Sequence, residues 1–251
     1  MNFDLLVDLH KRNIRQGPGS DMHTILAMQL ANIIGSEKKL NIADIGCGTG
    51  QQTLVLAKNT NANIVAIDVF DDFLSVLNAN AEQHNLSSSI TTKNCSMDAL
   101  DFAKESLDVV WSEGALYNIG FKDAVSYLTQ FLKKGGVMAC SEITWLTKNR
   151  PNSLTEHWNS EYSEIGYAED KIKVLTDNGL NLVGYFTLDE SCWMQNYYSN
   201  LFASFDSFLE RHNNSEDAIA IVEAEKYEID LYESYKDYIS YGFYIATKEK
   251  D

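Results

Sequence analysis

Leu40-Asn41-Ile42-Ala43-Asp44-Ile45-Gly46-Cys47-Gly48-Thr49-Gly50 runs without a break into Gln51-Gln52-Thr53-Leu54-Val55-Leu56-Ala57. The first half carries the short β-branched run of a buried strand, and Leu54, Val55 and Ala57 fit a helix, so the glycines fall in the turn between. Lacking a Cβ, these glycines let the backbone come close to a ligand, and the turn predicts free N–H groups at the helix start to bind it. A nucleotide-like ligand is the expectation.

Outward from this turn the chain alternates. Asn63 to Asp68 is a second apolar run that stops on an acid. The pattern predicts a helix over 70–84, strands over 90–95 and 107–112, a helix over 122–132, and a strand over 137–143 entered through the turn Lys133-Lys134-Gly135-Gly136. Alternation of this kind specifies a parallel sheet with helices on both faces. Before it, 3–11 and 22–34 read as helices joined by the loop Arg15-Gln16-Gly17-Pro18-Gly19-Ser20. Beyond it, a helix over 168–178 leads to a strand over 180–188, and 238–247 reads as the last strand. The acidic, aromatic-rich stretch 189–237 is expected to form a helical insertion. One α/β domain over 1–251 follows, with a helical cap (1–36), a sheet core (37–188 and 238–251) and the insertion (189–237).

The chain is 251 residues long, 45% apolar, and carries a formal net charge of −16. That charge repels phosphate backbones and anionic lipid, so neither nucleic acid nor membrane is an expected partner. Cys47, Cys95, Cys140 and Cys192 are widely spread, without a Cys-x-x-Cys pair or a histidine at ligand spacing, so no metal site and no disulfide framework is expected. Met1-Asn2-Phe3-Asp4-Leu5 lacks the basic and apolar regions of a leader, and no apolar run approaches bilayer length, which predicts a cytoplasmic protein.

The glycines of Gly46-Cys47-Gly48-Thr49-Gly50 recur at every second position, whereas the dinucleotide fingerprint is Gly-x-Gly-x-x-Gly; Gln51 stands where its third glycine would be. Asp68 ends the next strand, where a carboxylate can accept from both hydroxyls of a ribose. Ser96-Met97-Asp98 and Ser112-Glu113-Gly114-Ala115 follow the third and fourth strands. All four elements stand at the carboxyl ends of parallel strands, the edge at which open α/β sheets bind ligands.

On Asp44 to Gly50, Asp68, Met97-Asp98 and Phe131-Leu132-Lys133-Lys134-Gly135-Gly136, the chain resembles the class I S-adenosylmethionine-dependent methyltransferases. The stretch Ser112 to Phe121 and the loop Arg15 to Gly19 look like a bacterial small-molecule subgroup similar to quinone-biosynthesis C-methyltransferases. The resemblance implies a three-layer Rossmann-like sheet of order 3-2-1-4-5-7-6, with strand 7 antiparallel. It implies S-adenosyl-L-methionine as cofactor, held by Asp44, Gly46, Gly48 and Gly50 at its amino acid part, by Asp68 at the ribose, and by Met97 and Asp98 at the adenine, with Gln51 also in the cofactor-binding set. Two departures stand out: Lys134 occupies a position where the family commonly has proline, and the 189–237 insertion exceeds the family's simple hairpin.

A sulfonium methyl is already activated, so the protein has mainly to position the acceptor and exclude water. Glu113 is the first candidate for a catalytic polar role, with a turn-capping carboxylate as the alternative, and it also belongs to the expected cofactor set. Tyr117 is the second catalytic candidate, offering a ring face to a cation, against a plain packing role. Glu142 and His157 rank below them. Arg15 and Gly17 are expected to fold over the cofactor, unless their loop is a simple connector. Among Trp145, Trp158, Trp193, Tyr197, Tyr198 and Phe202, two or three are expected to wall an acceptor pocket. The leading expectation is methyl transfer to a small-molecule substrate by a monomer or homodimer. A nicotinamide oxidoreductase and a non-catalytic S-adenosylmethionine-binding protein are the alternatives.

Overall fold

The computed structural model describes residues 3–249; the first two residues of the expected cap and the last two of the expected sheet core lie outside the described residues. In chain order the elements are α1 (Phe3–His10), α2 (Asp21–Leu30), β1 (Leu40–Ile45), α3 (Gln51–Asn59), β2 (Ala62–Asp68), α4 (Asp71–Gln83) and β3 (Ile90–Asn94). Then come β4 (Leu107–Glu113), a 3₁₀ turn (Leu116–Ile119), α5 (Phe121–Thr129), β5 (Leu132–Trp145), α6 (Asn152–Glu161), β6 (Gly166–Tyr167), α7 (Ala168–Asp177) and β7 (Leu180–Thr187). The insertion is α8 (Glu190–Trp193), a π-helical turn (Met194–Tyr198), α9 (Ser199–Arg211) and α10 (Glu216–Tyr235), and β8 (Ile239–Lys248) closes the chain.

The sheet order is β3-β2-β1-β4-β5-β8-β7, with β8 antiparallel to both neighbours and the two-residue β6 beside the end of β5. Allowing for that short extra strand, this is the Rossmann-like order expected from the resemblance. The central strands are apolar on both faces, as strands covered on both sides must be. Ile42, Val109, Ala139 and Ile245 pack with α2, α3, α4 and the insertion, while Ala43, Val110, Met138 and Tyr244 pack with α5 and α7. Three layers result.

Several boundaries differ from expectation for local reasons. The predicted turn at Lys133–Gly136 is a bulge inside β5, because the β4–β5 register shifts between Leu107 and Val109. Gly135 takes φ +74° there, and a Cβ on Gly136 would meet the Lys133 carbonyl at 2.8 Å. Helix α2 stops at Leu30, well before Ile34, since Asn32 at φ +54° and Gly35 at φ +69° turn the chain left-handed. Among the described residues no helix is long and apolar enough to cross a membrane.

Candidate functional site

The strand ends of β1, β2, β3 and β4 open into one cavity of about 610 Å³, roofed by α1, the Arg15–Pro18 loop, Tyr197 and α10. Its sheet-side wall carries Gly46, Gly48, Asp68, Met97 and Glu113, five of the residues singled out from sequence, and Tyr117, Arg15 and Gly17 join them. The other expected contacts stand back. Asp44 is fully buried beneath the loop, taking hydrogen bonds from Thr53 Oγ1 at 2.5 Å and Gln52 Nε2 at 3.5 Å, and burial pushes its carboxyl up to about 7. Gly50 packs under Leu77, which a Cβ would meet at 2.2 Å. Gln51 donates from its amide to both Asp21 carboxylate oxygens at 3.0 Å, and Asp98 is exposed beside the cavity without lining it.

Ahead of the helix start, whose Gly50 cap makes no side-chain bond, the glycine turn is closed by protein contacts. The N–H groups of its loop residues are bonded: Cys47 to the Ile67 carbonyl, Gly48 to Asp68 Oδ2 at 2.9 Å, Thr49 to Gln16 Oε1 at 2.8 Å, and Gly50 to the Cys47 carbonyl. The backbone closes on itself because Asp68, at the end of β2, and Gln16, from the N-terminal loop, both reach it. Gln16 escaped the sequence reading although its loop did not. Its amide donates to the carbonyls of His10 and Asn13, both at 3.1 Å, while its oxygen also accepts from Thr49 Oγ1, so it pins the loop onto the glycine turn. A Cβ on Gly48 would lie 2.3 Å from Gln16 Oε1, so here the glycine is needed for a protein contact. Asp68 keeps its carboxylate at the cavity wall, raised above the usual range by burial against the bonds from Phe70 and Gly48 N–H.

Arg15 and Glu113 are committed to each other. Both side chains are 7% exposed, with Nη1 2.9 Å from Oε2. Glu113 Oε1 accepts from Thr24 Oγ1 at 2.8 Å and Trp111 Nε1 at 3.0 Å, and Arg15 Nη2 reaches Asp21 and Thr24. The carboxylate at the end of β4 thus meets three donors, and the guanidinium sequence reasoning offered to a ligand carboxylate is held by protein groups.

At the roof, His10 Nε2 lies 3.0 Å from Glu225 Oε1, and Tyr198 donates to Glu228 Oε1 at 3.0 Å. Burial, then the neighbouring Glu225, raises the Glu228 carboxyl. Of the six aromatics expected as wall candidates, only Tyr197 lines this cavity. Trp193 is instead core, stacked on Tyr232 at 4.3 Å with its indole N–H on Ser240, and Phe202 is 60% exposed. Glu142 and His157 do not line the cavity either. Glu142 is fully buried 3.8 Å from Lys171 Nζ, and the His157 ring lies against Trp158 and Tyr227. Burial pushes the Cys47 thiol well up, which leaves it a small wall group without thiolate character.

Residues 36–206 match a family described as methyltransferase domain. The chain is 32% identical over 130 residues to erythromycin 3''-O-methyltransferase of Saccharopolyspora erythraea, covering 51% of this chain and 42% of that protein. It therefore spans about two fifths of that curated relative's length. Among solved structures, a SAM-dependent methyltransferase from Geobacter sulfurreducens in complex with S-adenosyl-L-homocysteine superposes with a TM-score of 0.85 at 15% identity, covering 98% of each chain. YjhP from E. coli superposes with 0.84 at 19% identity, covering 98% of this chain and 99% of that one. At these identities the two structures establish a shared fold.

Proposed function

Because the chain belongs to the methyltransferase-domain family, we propose that it transfers a methyl group from S-adenosyl-L-methionine to a small-molecule acceptor. The observation that carries this is the single cavity in which Gly46, Gly48, Asp68 and Met97 form one wall and Tyr117, Tyr197 and α10 another. The residues fit the cofactor. Asp68 stands where it can accept from vicinal ribose hydroxyls, Met97 offers an apolar flank to a purine, and the Cβ-free turn permits close approach. Bound there, the cofactor supplies a sulfonium methyl that an acceptor lone pair displaces in line, the carbon–sulfur electron pair leaving on a neutral thioether.

The protein's own part is orientation and water exclusion. The Arg15–Glu113 pair and Gln16 are positioning residues that hold the N-terminal loop down, with Gly17 and Pro18 over the cavity. Tyr117, 44% exposed at the cavity wall, is the side chain we assign to the acceptor. Titration calorimetry with S-adenosylhomocysteine and NADH tests the donor: binding of the first, absent for the second, is expected, and the reverse would overturn the proposal. Asp68→Asn should weaken S-adenosylhomocysteine about 10-fold or more, the scale of a hydrogen bond to a charged group.

A further inference from the structure

We infer that the acceptor is an organic cation, a small molecule whose protonated amine sits against Glu225 and Glu228 at the roof of the cavity. The inference rests on the methyl-transfer reading above. Both carboxylates, three residues apart on α10, face the same cavity as the glycine turn. Among the described residues neither is ion-paired to a lysine or arginine; His10 is the one ion-pair partner of Glu225. Glu225 is met by that imidazole alone, and Glu228, at the exposed end of the roof, by no cation among the described residues, so the roof offers carboxylate oxygens that a ligand cation would satisfy.

A second, independent sign is hydrogen-bonding capacity left open. Glu225 Oε2 has no partner, and neither has Nδ1 of His10, a residue 9% exposed at the cavity wall. Buried polar atoms are nearly always paired, so these mark a place for a group with several donors, as an ammonium has. Tyr117 and Tyr197 also line the cavity, and aromatic rings are groups that attract a cation. An anionic acceptor would meet two carboxylates, while the guanidinium that lines the cavity, Arg15, is taken by Glu113. Among the described residues no group of three or more His, Cys, Asp or Glu is placed to hold a metal ion.

The test is a thermal-shift screen of the protein saturated with S-adenosylhomocysteine, against matched triplets of amine, alcohol and carboxylate on the same aryl or alkyl frames. Hits should be enriched in amines, the best binding about tenfold tighter than its alcohol by calorimetry. Glu225→Gln, and separately Glu225→Gln with Glu228→Gln, should abolish that preference while S-adenosylhomocysteine still binds. Amines that are not enriched, or a preference that survives both variants, would overturn the inference and leave the donor assignment standing. A loss of S-adenosylmethionine affinity with S-adenosylhomocysteine unaffected would assign the carboxylates to the sulfonium and equally overturn it. Failure of S-adenosylhomocysteine to bind the unmodified protein would instead sink the methyl-transfer reading.

Discussion

Glu113→Ala is the sharpest perturbation of the cavity's frame. It removes the acceptor of three donors at once, Arg15 Nη1 at 2.9 Å, Thr24 Oγ1 at 2.8 Å and Trp111 Nε1 at 3.0 Å, in a pocket where both charged side chains are 7% exposed. Breaking a buried pair by removing one partner costs about 3–5 kcal/mol, chiefly the penalty of the charge left behind. Arg15 retains Asp21 at 3.1 Å, but that carboxylate is 54% exposed and screened, so the lower part of the range is the expected loss in urea denaturation. Arg15→Met with Glu113→Leu should recover much of it by removing both charges, leaving about 1 kcal/mol for Trp111 deprived of its acceptor, while the Thr24 hydroxyl keeps the Ser20 carbonyl at 3.2 Å. Because the same pair fixes the loop carrying Gly17 and Pro18, S-adenosylhomocysteine affinity should fall in Glu113→Ala under conditions where it is still folded. A loss below about 1 kcal/mol with unchanged affinity would refute the clamp and return Glu113 to the candidates for direct chemistry.

Gly48→Ala and Gln16→Ala should be coupled: the new Cβ would meet Gln16 Oε1 at 2.3 Å at a backbone φ of +56°, so the double variant should be less destabilised than the sum by about 1 kcal/mol or more; additive urea midpoints would dismiss the contact. The Glu142 carboxyl is raised by burial from 4.5 to about 7, so it contributes stability below pH 4.5 that is lost as pH rises through 7. That shift amounts to about 3 kcal/mol, so thermal midpoints measured between about pH 5 and 8 should fall less steeply in Glu142→Gln than in the unmodified protein, with Asp44 supplying a residual slope of the same sign. Parallel slopes would show Glu142 to be charged throughout. Trp193→Ala should cost about 3–5 kcal/mol by emptying the stack with Tyr232 and Tyr241, and a near-neutral result would contradict its core placement.

The sheet was legible because its signals are local. A β-branched run, a glycine turn and a helical stripe lie within eighteen residues of one another, and β-strands covered on both faces leave continuous apolar runs that need no partner to be recognised. Asp68 and Met97 were legible for the same reason, since the carboxyl end of a parallel strand fixes where its next residues go. Gln16, His10, Glu225 and Glu228 were not. Gln16 meets Thr49 across 33 residues and His10 meets Glu225 across 215, so the contacts exist only after α1, the N-terminal loop and the insertion have closed over the sheet edge. Trp193 and Tyr197 show the limit from the other side. Their four-residue spacing fits one helical face, but the π-helical turn beginning at Met194 shifts the rotation between them, so Trp193 enters the core while Tyr197 reaches the cavity.

In the methyl-transfer reading proposed above, the donor and acceptor ends of the cavity are built by different kinds of structure. The donor wall hangs on the main-chain ladders of β1, β2 and β4, and its carboxylate at Asp68 is fixed by two backbone N–H groups. The acceptor roof is carried by helices that meet mainly through side chains. Asp8 of α1 bridges Arg211, His212 and Lys11; burial raises its carboxyl, but the bonds from His212, Arg211 and Lys11 outweigh that and hold it far below the usual range. Such a latch stays ionised at neutral pH while constraining little of the inner face of α10, where Glu225 and Glu228 stand. Neither Glu225 nor Glu228 takes part in a strand ladder. In that reading the insertion is the part of the chain that would set acceptor choice while the donor wall stays the same.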